Sequence, residues 1–144
     1  MQAWSPHLRK DIITLENIQK RATRLVWKIK HLPYEDRLKR LGLMPLETRR
    51  IRGDLIETFK ILKGYDQVSN VFVRSHTTHL RGNSMKLYKG QCRTVARSKF
   101  FSQRVIDLWN KLPDRVVTSK SIDMFKQRLD SHMTRSGHWA PTSY

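Results

Sequence analysis

The chain has 144 residues, with 29 Lys and Arg against 12 Asp and Glu, so its formal net charge is +17 and its pI lies near 10.7. A domain carrying that surplus repels itself and is relieved by a polyanion, most commonly a phosphate backbone, although an anionic membrane or an acidic protein would answer the same charge. The length suits one domain, or a small domain with tails. The 38% hydrophobic content permits a thin core, and no apolar run approaches the ~20 residues that span a bilayer. The N-terminus lacks the order of a signal peptide, and a lone cysteine, Cys92, excludes an intrachain disulfide and fits a reducing compartment.

Ser5-Pro6 is a helix-start signal, with Ser at the cap and Pro at the first helical position. Leu8, Ile12, Leu15, Ile18, Ala22, Leu25, Val26 and Ile29 then recur at three- and four-residue steps, which predicts one long helix with an apolar face. Arg21, Arg24 and Lys28 follow the same period on another face, and His31-Leu32-Pro33 ends the helix. A short second helix is expected over Tyr34 to Leu41, with Glu35 and Asp36 in its first turn and Gly42 just past its end. Pro45 opens a third helix running to about Lys63, with Ile51, Leu55, Phe59 and Leu62 as its core stripe. Its first turns hold Arg49, Arg50 and Arg52. Three cations there oppose the helix dipole, which makes sense beside a bound anion; alternatively they extend into solvent or pair with Glu47 and Asp54.

Helical spacing fades between Tyr65 and Lys99. Met85 to Tyr88 and Cys92 to Val95 flank Lys89-Gly90-Gln91 and read as a basic β-hairpin. A helix resumes over Phe100 to Leu112, with Phe101, Val105, Leu108 and Leu112 inward, and Pro113 ends it. A last helix begins near Ser119 or Ser121 and turns Ile122, Phe125 and Leu129 to one side, while Thr134 to Tyr144 reads as a loose tail. The fold class expected is therefore mainly α, a small helical bundle with a short basic β-hairpin between the third helix and the C-terminal helices. Its regions are 1–64 (N-terminal helical), 65–99 (loop and hairpin), 100–133 (C-terminal helical pair) and 134–144 (flexible tail).

Polymerases and nucleases hold divalent metals with clustered carboxylates, and the acids here are mostly scattered singly. No glycine-rich phosphate loop and no Gly-x-Ser-x-Gly elbow occurs. His76 and His79, with Cys92 thirteen residues beyond, would still need a fourth zinc ligand, and two solvated histidines are the better account. Trp4, Trp27, Trp109 and Trp139 could stack on bases; Trp109 lies beside the apolar stripe of its helix and reads as core, and Trp139, in the tail, is the one that reads as exposed. Neither catalysis nor a metal or other cofactor is expected.

Several segments resemble the end of the open reading frame of non-LTR (LINE-type) retrotransposons, nearest in flavour to the jockey and chicken-repeat clades. They begin with Ala3-Trp4-Ser5-Pro6-His7-Leu8-Arg9-Lys10-Asp11-Ile12, Leu15-Glu16 and Gln19-Lys20-Arg21-Ala22-Thr23-Arg24. Leu32-Pro33-Tyr34-Glu35-Asp36-Arg37-Leu38-Lys39-Arg40-Leu41-Gly42-Leu43 and Arg49-Arg50-Ile51-Arg52-Gly53-Asp54-Leu55-Ile56 continue in order. Arg81-Gly82-Asn83-Ser84, Phe100-Phe101-Ser102-Gln103-Arg104-Val105, Leu108-Trp109-Asn110-Lys111-Leu112-Pro113 and Phe125-Lys126 complete the set. Each piece is weak alone; their order up to about Ser131 is the specific signal.

The resemblance implies a segment downstream of the palm of a reverse transcriptase, adjoining the thumb that grips the template–primer duplex. The catalytic aspartates of the palm and the endonuclease residues fall outside the matching part, which begins directly after Met1, as in a 5′-truncated copy or a fragment. The expectation is an intracellular, non-catalytic accessory segment binding RNA or an RNA–DNA duplex through phosphates, with the rest of a reverse transcriptase as a further partner and no membrane. The preferred contacts are Lys20, Arg21, Arg24, Lys28, Arg49, Arg50 and Arg52, with Lys86, Lys89, Arg93, Arg97 and Lys99 as a second patch. Two alternatives stay open: an interaction module docking on a polymerase core, and a decayed fragment without activity of its own.

Overall fold

The apolar spacing of the third and later helices determines where the core lies. The computed structural model describes residues 5–68, 70–76 and 82–135. Among them, seven α-helices occur in the order α1 (Arg9–Arg24), α2 (Tyr34–Leu41), α3 (Leu46–Leu62), α4 (Val95–Ser98), α5 (Phe101–Lys111), α6 (Asp114–Val117) and α7 (Ile122–Arg135). A single 3-10 turn, Trp27–Ile29, follows α1. The mainly helical class expected from the sequence is present. Trp4, Thr77, Thr78, His79, Arg81 and Trp139 lie outside the described residues. Thr134 and Arg135, expected in the tail, belong to α7 instead, and residues 136–144 lie outside the described residues.

Leu55 and Phe59 of α3 meet Val105, Ile106 and Trp109 of α5, Val116 and Val117 of α6, and Phe125, Leu129 and Met133 of α7 in one continuous core. Ile51, Leu62, Phe101, Leu108 and Ile122 close its margins. Phe125 sits at its centre, stacked on Phe59 at 4.2 Å between ring centroids and 6.0 Å from Trp109. Such offset aromatic pairs add to the burial of large apolar surfaces. The third helix of the first region thus shares its core with the helices of the third.

The expected β-hairpin is absent among the described residues, and the hydrogen bonds around residues 85–88 show why. Along one edge, Tyr88 N donates to the Val73 carbonyl (2.8 Å) and Ser75 N to that of Lys86 (2.9 Å), an isolated antiparallel bridge between Arg74 and Leu87. Along the other edge, side chains of α5 take the place of a strand. Trp109 Nε1 donates to the Met85 carbonyl (2.8 Å), and Asn110 both accepts from Leu87 N and donates to Leu87 O. With both edges satisfied, a third strand has nothing to bond. The second half of the supposed hairpin is helical instead: Thr94 Oγ1 accepts from Arg97 N (3.2 Å) and caps the single turn α4.

The same strap is anchored at its start by Asn83, which is buried and donates to the carbonyls of Trp109 and Leu112 while accepting from Met85 N. Asp114 accepts from the backbone and hydroxyl of Ser84, and these bonds hold its carboxyl below the usual range. Gly82 has φ +127°, a backbone conformation that side-chain-bearing residues rarely adopt, so this turn needs glycine. Two segments that looked like sequence signatures, Gly82-Asn83-Ser84 and Trp109-Asn110, are therefore bonded to one another.

At the other end, α1 departs from expectation. It starts at Arg9 with Leu8 as its cap position, so Ser5-Pro6 does not begin it, and it breaks at Leu25, well before Pro33. Its inward face is polar: Glu16 and Thr23 are buried, and Gln19 lies between them. Glu16 accepts a hydrogen bond from the Tyr34 hydroxyl at the start of α2 and another from Leu46 N (2.9 Å) at the start of α3. Gln19 donates to Tyr34 Oη and to the Met44 carbonyl, both at 3.0 Å. One glutamate and one glutamine thus fix three helices. Burial and the bond to Glu16 push the Tyr34 phenol well above its ordinary range, with Gln19 opposing.

Candidate nucleic-acid interface

The α-helical period places Arg21 and Arg24 on one side of α1, and the 3-10 turn carries Lys28 onward from it. All three are exposed, and none takes part in an ion pair among the described residues. Arg21 and Arg24 also fall in the last turn of α1, where the helix dipole favours cations. Lys20, expected in the same set, is half-buried instead. Its ammonium lies 5.3 Å from the centre of the Tyr34 ring, turned toward the polar seam between α1 and α2.

The cluster on α3 separates into different roles. Arg49 is exposed and stands beside α1. Arg50 is half-buried and acts electrostatically on Asp54. Arg52 makes a bidentate pair with Asp130 of α7, Nε to Oδ1 at 2.6 Å and Nη2 to Oδ2 at 3.0 Å, and so ties two helices of the core together. Its guanidinium is committed to the fold. A residue that sequence reasoning did not single out, Arg104 on α5, does the same for Asp54, with bonds of 2.9 and 3.0 Å. Asp54 is buried enough that its carboxyl is raised despite Arg104, with Arg50 also opposing the rise. Arg104 was visible only as one member of the Phe100-Phe101-Ser102-Gln103-Arg104-Val105 segment; its partner lies fifty residues away in sequence.

The second patch is likewise divided. Lys89 pairs with Asp107 on α5, and Lys86 is half-buried against Gly82. Arg93, Arg97 and Lys99 are exposed around α4, with the Arg97 guanidinium 5.5 Å from the centre of the exposed Phe100 ring. Trp109 is wholly buried, in keeping with its reading as core, whereas Trp27 is exposed with Lys30 Nζ 3.7 Å above its ring. Among the described residues no cluster of three or more His, Cys, Asp or Glu could hold a metal ion, and no helix is long and apolar enough to cross a membrane.

Of the twelve expected contacts, Arg21, Arg24, Lys28, Arg49, Arg93, Arg97 and Lys99 face solvent, whereas Arg52 and Lys89 are held in ion pairs and Lys20, Arg50 and Lys86 are half-buried. Exposed arginines and lysines at helical spacing can bind successive phosphates while reading no bases. Comparison with protein-family models, with curated proteins and with solved structures finds no match to this chain.

Proposed function

We propose that the chain is a non-catalytic, nucleic-acid-binding accessory segment of a non-LTR retrotransposon reverse transcriptase, gripping RNA or an RNA–DNA duplex through backbone phosphates. The observation that carries the reading is the outward row of Arg21, Arg24 and Lys28, without ion-pair partners among the described residues, on a chain of net charge +17. The order of the sequence segments supports the retroelement lineage. Arg49 extends the row across to α3, and Arg93, Arg97 and Lys99 supply a second contact around α4.

The test is a binding titration on matched single-stranded, duplex and hybrid probes over a salt series. If the chain neutralises roughly six phosphates, log K on duplex falls with log salt at a slope near −5. The triple variant Arg21→Gln, Arg24→Gln and Lys28→Gln should flatten that slope by up to ~3 and weaken binding about equally for all sequences. A triple variant with the affinity and slope of the parent would remove α1 from the interface.

A further inference from the structure

When the polar face of α1 turns inward, Ile12 and Leu15 stay half-buried and Ile29 is buried, but the stripe from Ile18 to Val26 is left outside. Ile18 is 61% exposed, Leu25 86% and Trp27 75%, and Val26, Leu41 and Leu43 are exposed beside them. Ile18, Ala22 and Val26 of α1 and its following turn form one wall of a groove of about 460 Å³, and Leu41, Leu43, Leu46 and Arg49 form the other. Gln19 and Thr23 make its floor, and Gln19 is already bonded to Tyr34 and Met44, which leaves the walls to dictate what fits.

We infer that this groove is a docking site for an acidic amphipathic helix of a partner protein. An apolar groove lined along one side by a helix takes side chains spaced at i, i+3 or i+4 and i+7 along a docked helix. The surroundings fix the sign of the partner. Arg49 lines the groove, Arg21 lies one helical turn from both Ile18 and Leu25, and Arg40 adjoins Leu41; all three are exposed. A helix with Glu or Asp flanking its apolar stripe meets complementary charge on both sides. A second copy of this chain meets the reverse, since two chains of +17 repel. Nucleic acid is the poorer occupant, because phosphates gain nothing from walls of Ile, Ala, Val and Leu. The inference shares Arg21 and Arg49 with the nucleic-acid reading, whereas its apolar lining of Ile18, Ala22, Val26, Leu41 and Leu43 takes no part in that reading.

The test uses the full chain and a synthetic 18-residue helical peptide with leucines at i, i+3, i+4 and i+7 and glutamates on both flanks. A scrambled peptide of the same composition and a peptide with lysine for glutamate are the controls. Calorimetric titration should show the acidic helix binding at least tenfold more tightly than either control. Ile18→Glu and Leu43→Glu, both at exposed positions, should each weaken it at least tenfold with the circular dichroism and Tm of the parent retained. Arg49→Glu, which leaves the apolar lining intact, should weaken it severalfold and favour the lysine peptide. Equal binding of the scrambled peptide, or unchanged binding by both wall variants, overturns the inference. Sedimentation showing self-association that Ile18→Glu abolishes would assign the groove to a second copy and overturn it too. So would a loss of duplex RNA binding in the uncharged variant Ile18→Ser, which would make the groove part of the phosphate grip.

Discussion

At one end of the molecule Phe125 stacks on Phe59 inside an apolar core shared by α3, α5, α6 and α7; at the other, α1 and α2 are joined through Glu16, Gln19 and Tyr34 while Ile18, Leu25 and Trp27 face solvent. The first arrangement draws its stability from apolar area and tolerates little loss of volume. The second depends on a few directional bonds that share Glu16, Gln19 and Tyr34, so that a single deletion leaves several groups unsatisfied. A helix held by polar bonds is free to keep its apolar side for a partner, and a helix held by its apolar side is not.

The largest expected effect lies in the apolar core. Phe125→Ala should cost about 3–5 kcal/mol, because the ring is fully buried between Phe59 and Trp109 and its removal leaves a cavity in the core. Chemical denaturation followed by circular dichroism measures it. A loss below about 1 kcal/mol would mean that the C-terminal helices are no better packed than α1.

Next comes the polar seam. Glu16→Ala strips the acceptor from the Tyr34 hydroxyl and from Leu46 N, and leaving such groups unpaired costs roughly 1–3 kcal/mol. Hydrogen exchange should show the loss confined to α1, α2 and the first turn of α3, with α5 and α7 as protected as in the parent. Uniform loss of protection would show that the two ends unfold as one unit. The seam also carries a pH signature. The Tyr34 phenol is raised in the folded chain, so the stability it contributes is fully present below the ordinary tyrosine range near ~10 and is lost as pH rises through that range and beyond. Tyr34→Phe should be less stable near neutrality and should lose that part of the alkaline dependence; an unchanged alkaline profile would place the ionising group elsewhere.

The contrast explains which parts of the structure were legible in the sequence. Leu55, Phe59, Val105, Leu112, Phe125 and Leu129 recur at helical spacing and are buried as that spacing predicts, because they bury one another. The same spacing in Leu8, Ile18 and Leu25 misleads, since the face that turns inward is chosen by the hydroxyl of Tyr34, the carbonyl of Met44 and the amide of Leu46. No local pattern shows those partners. The hairpin failed for a related reason: alternation identifies residues 85–88 as extended but cannot say that Asn110 and Trp109, on a helix, will fill one of its edges. At the candidate interface, charge spacing on α1 was readable, whereas the commitment of Arg52 to Asp130 depends on a residue 78 positions away.

That commitment can be tested directly. Arg52→Gln should cost about 1 kcal/mol, near the upper end for a partly exposed pair and consistent with its bidentate geometry. It should leave the salt dependence of nucleic-acid binding unchanged. Flattening by about one unit with no loss of stability would instead return Arg52 to the phosphate contacts.

The smallest effect is the most discriminating. Ile18 and Leu55 are both aliphatic residues at helical spacing in amphipathic segments, and the sequence treats them alike. Leu55→Ala should cost about 2–5 kcal/mol, since its side chain is in the core. Ile18→Ser should change stability by less than about 0.5 kcal/mol, because a residue 61% exposed has little area left to lose. The serine hydroxyl can bond to water, so no buried polar group is created to confuse the result. Denaturant midpoints at constant slope measure both changes under one set of conditions. A loss of 2 kcal/mol or more in Ile18→Ser would mean that the apolar side of α1 is buried in the isolated chain. The groove would then be closed, and the polar seam would no longer be what holds α1 in place.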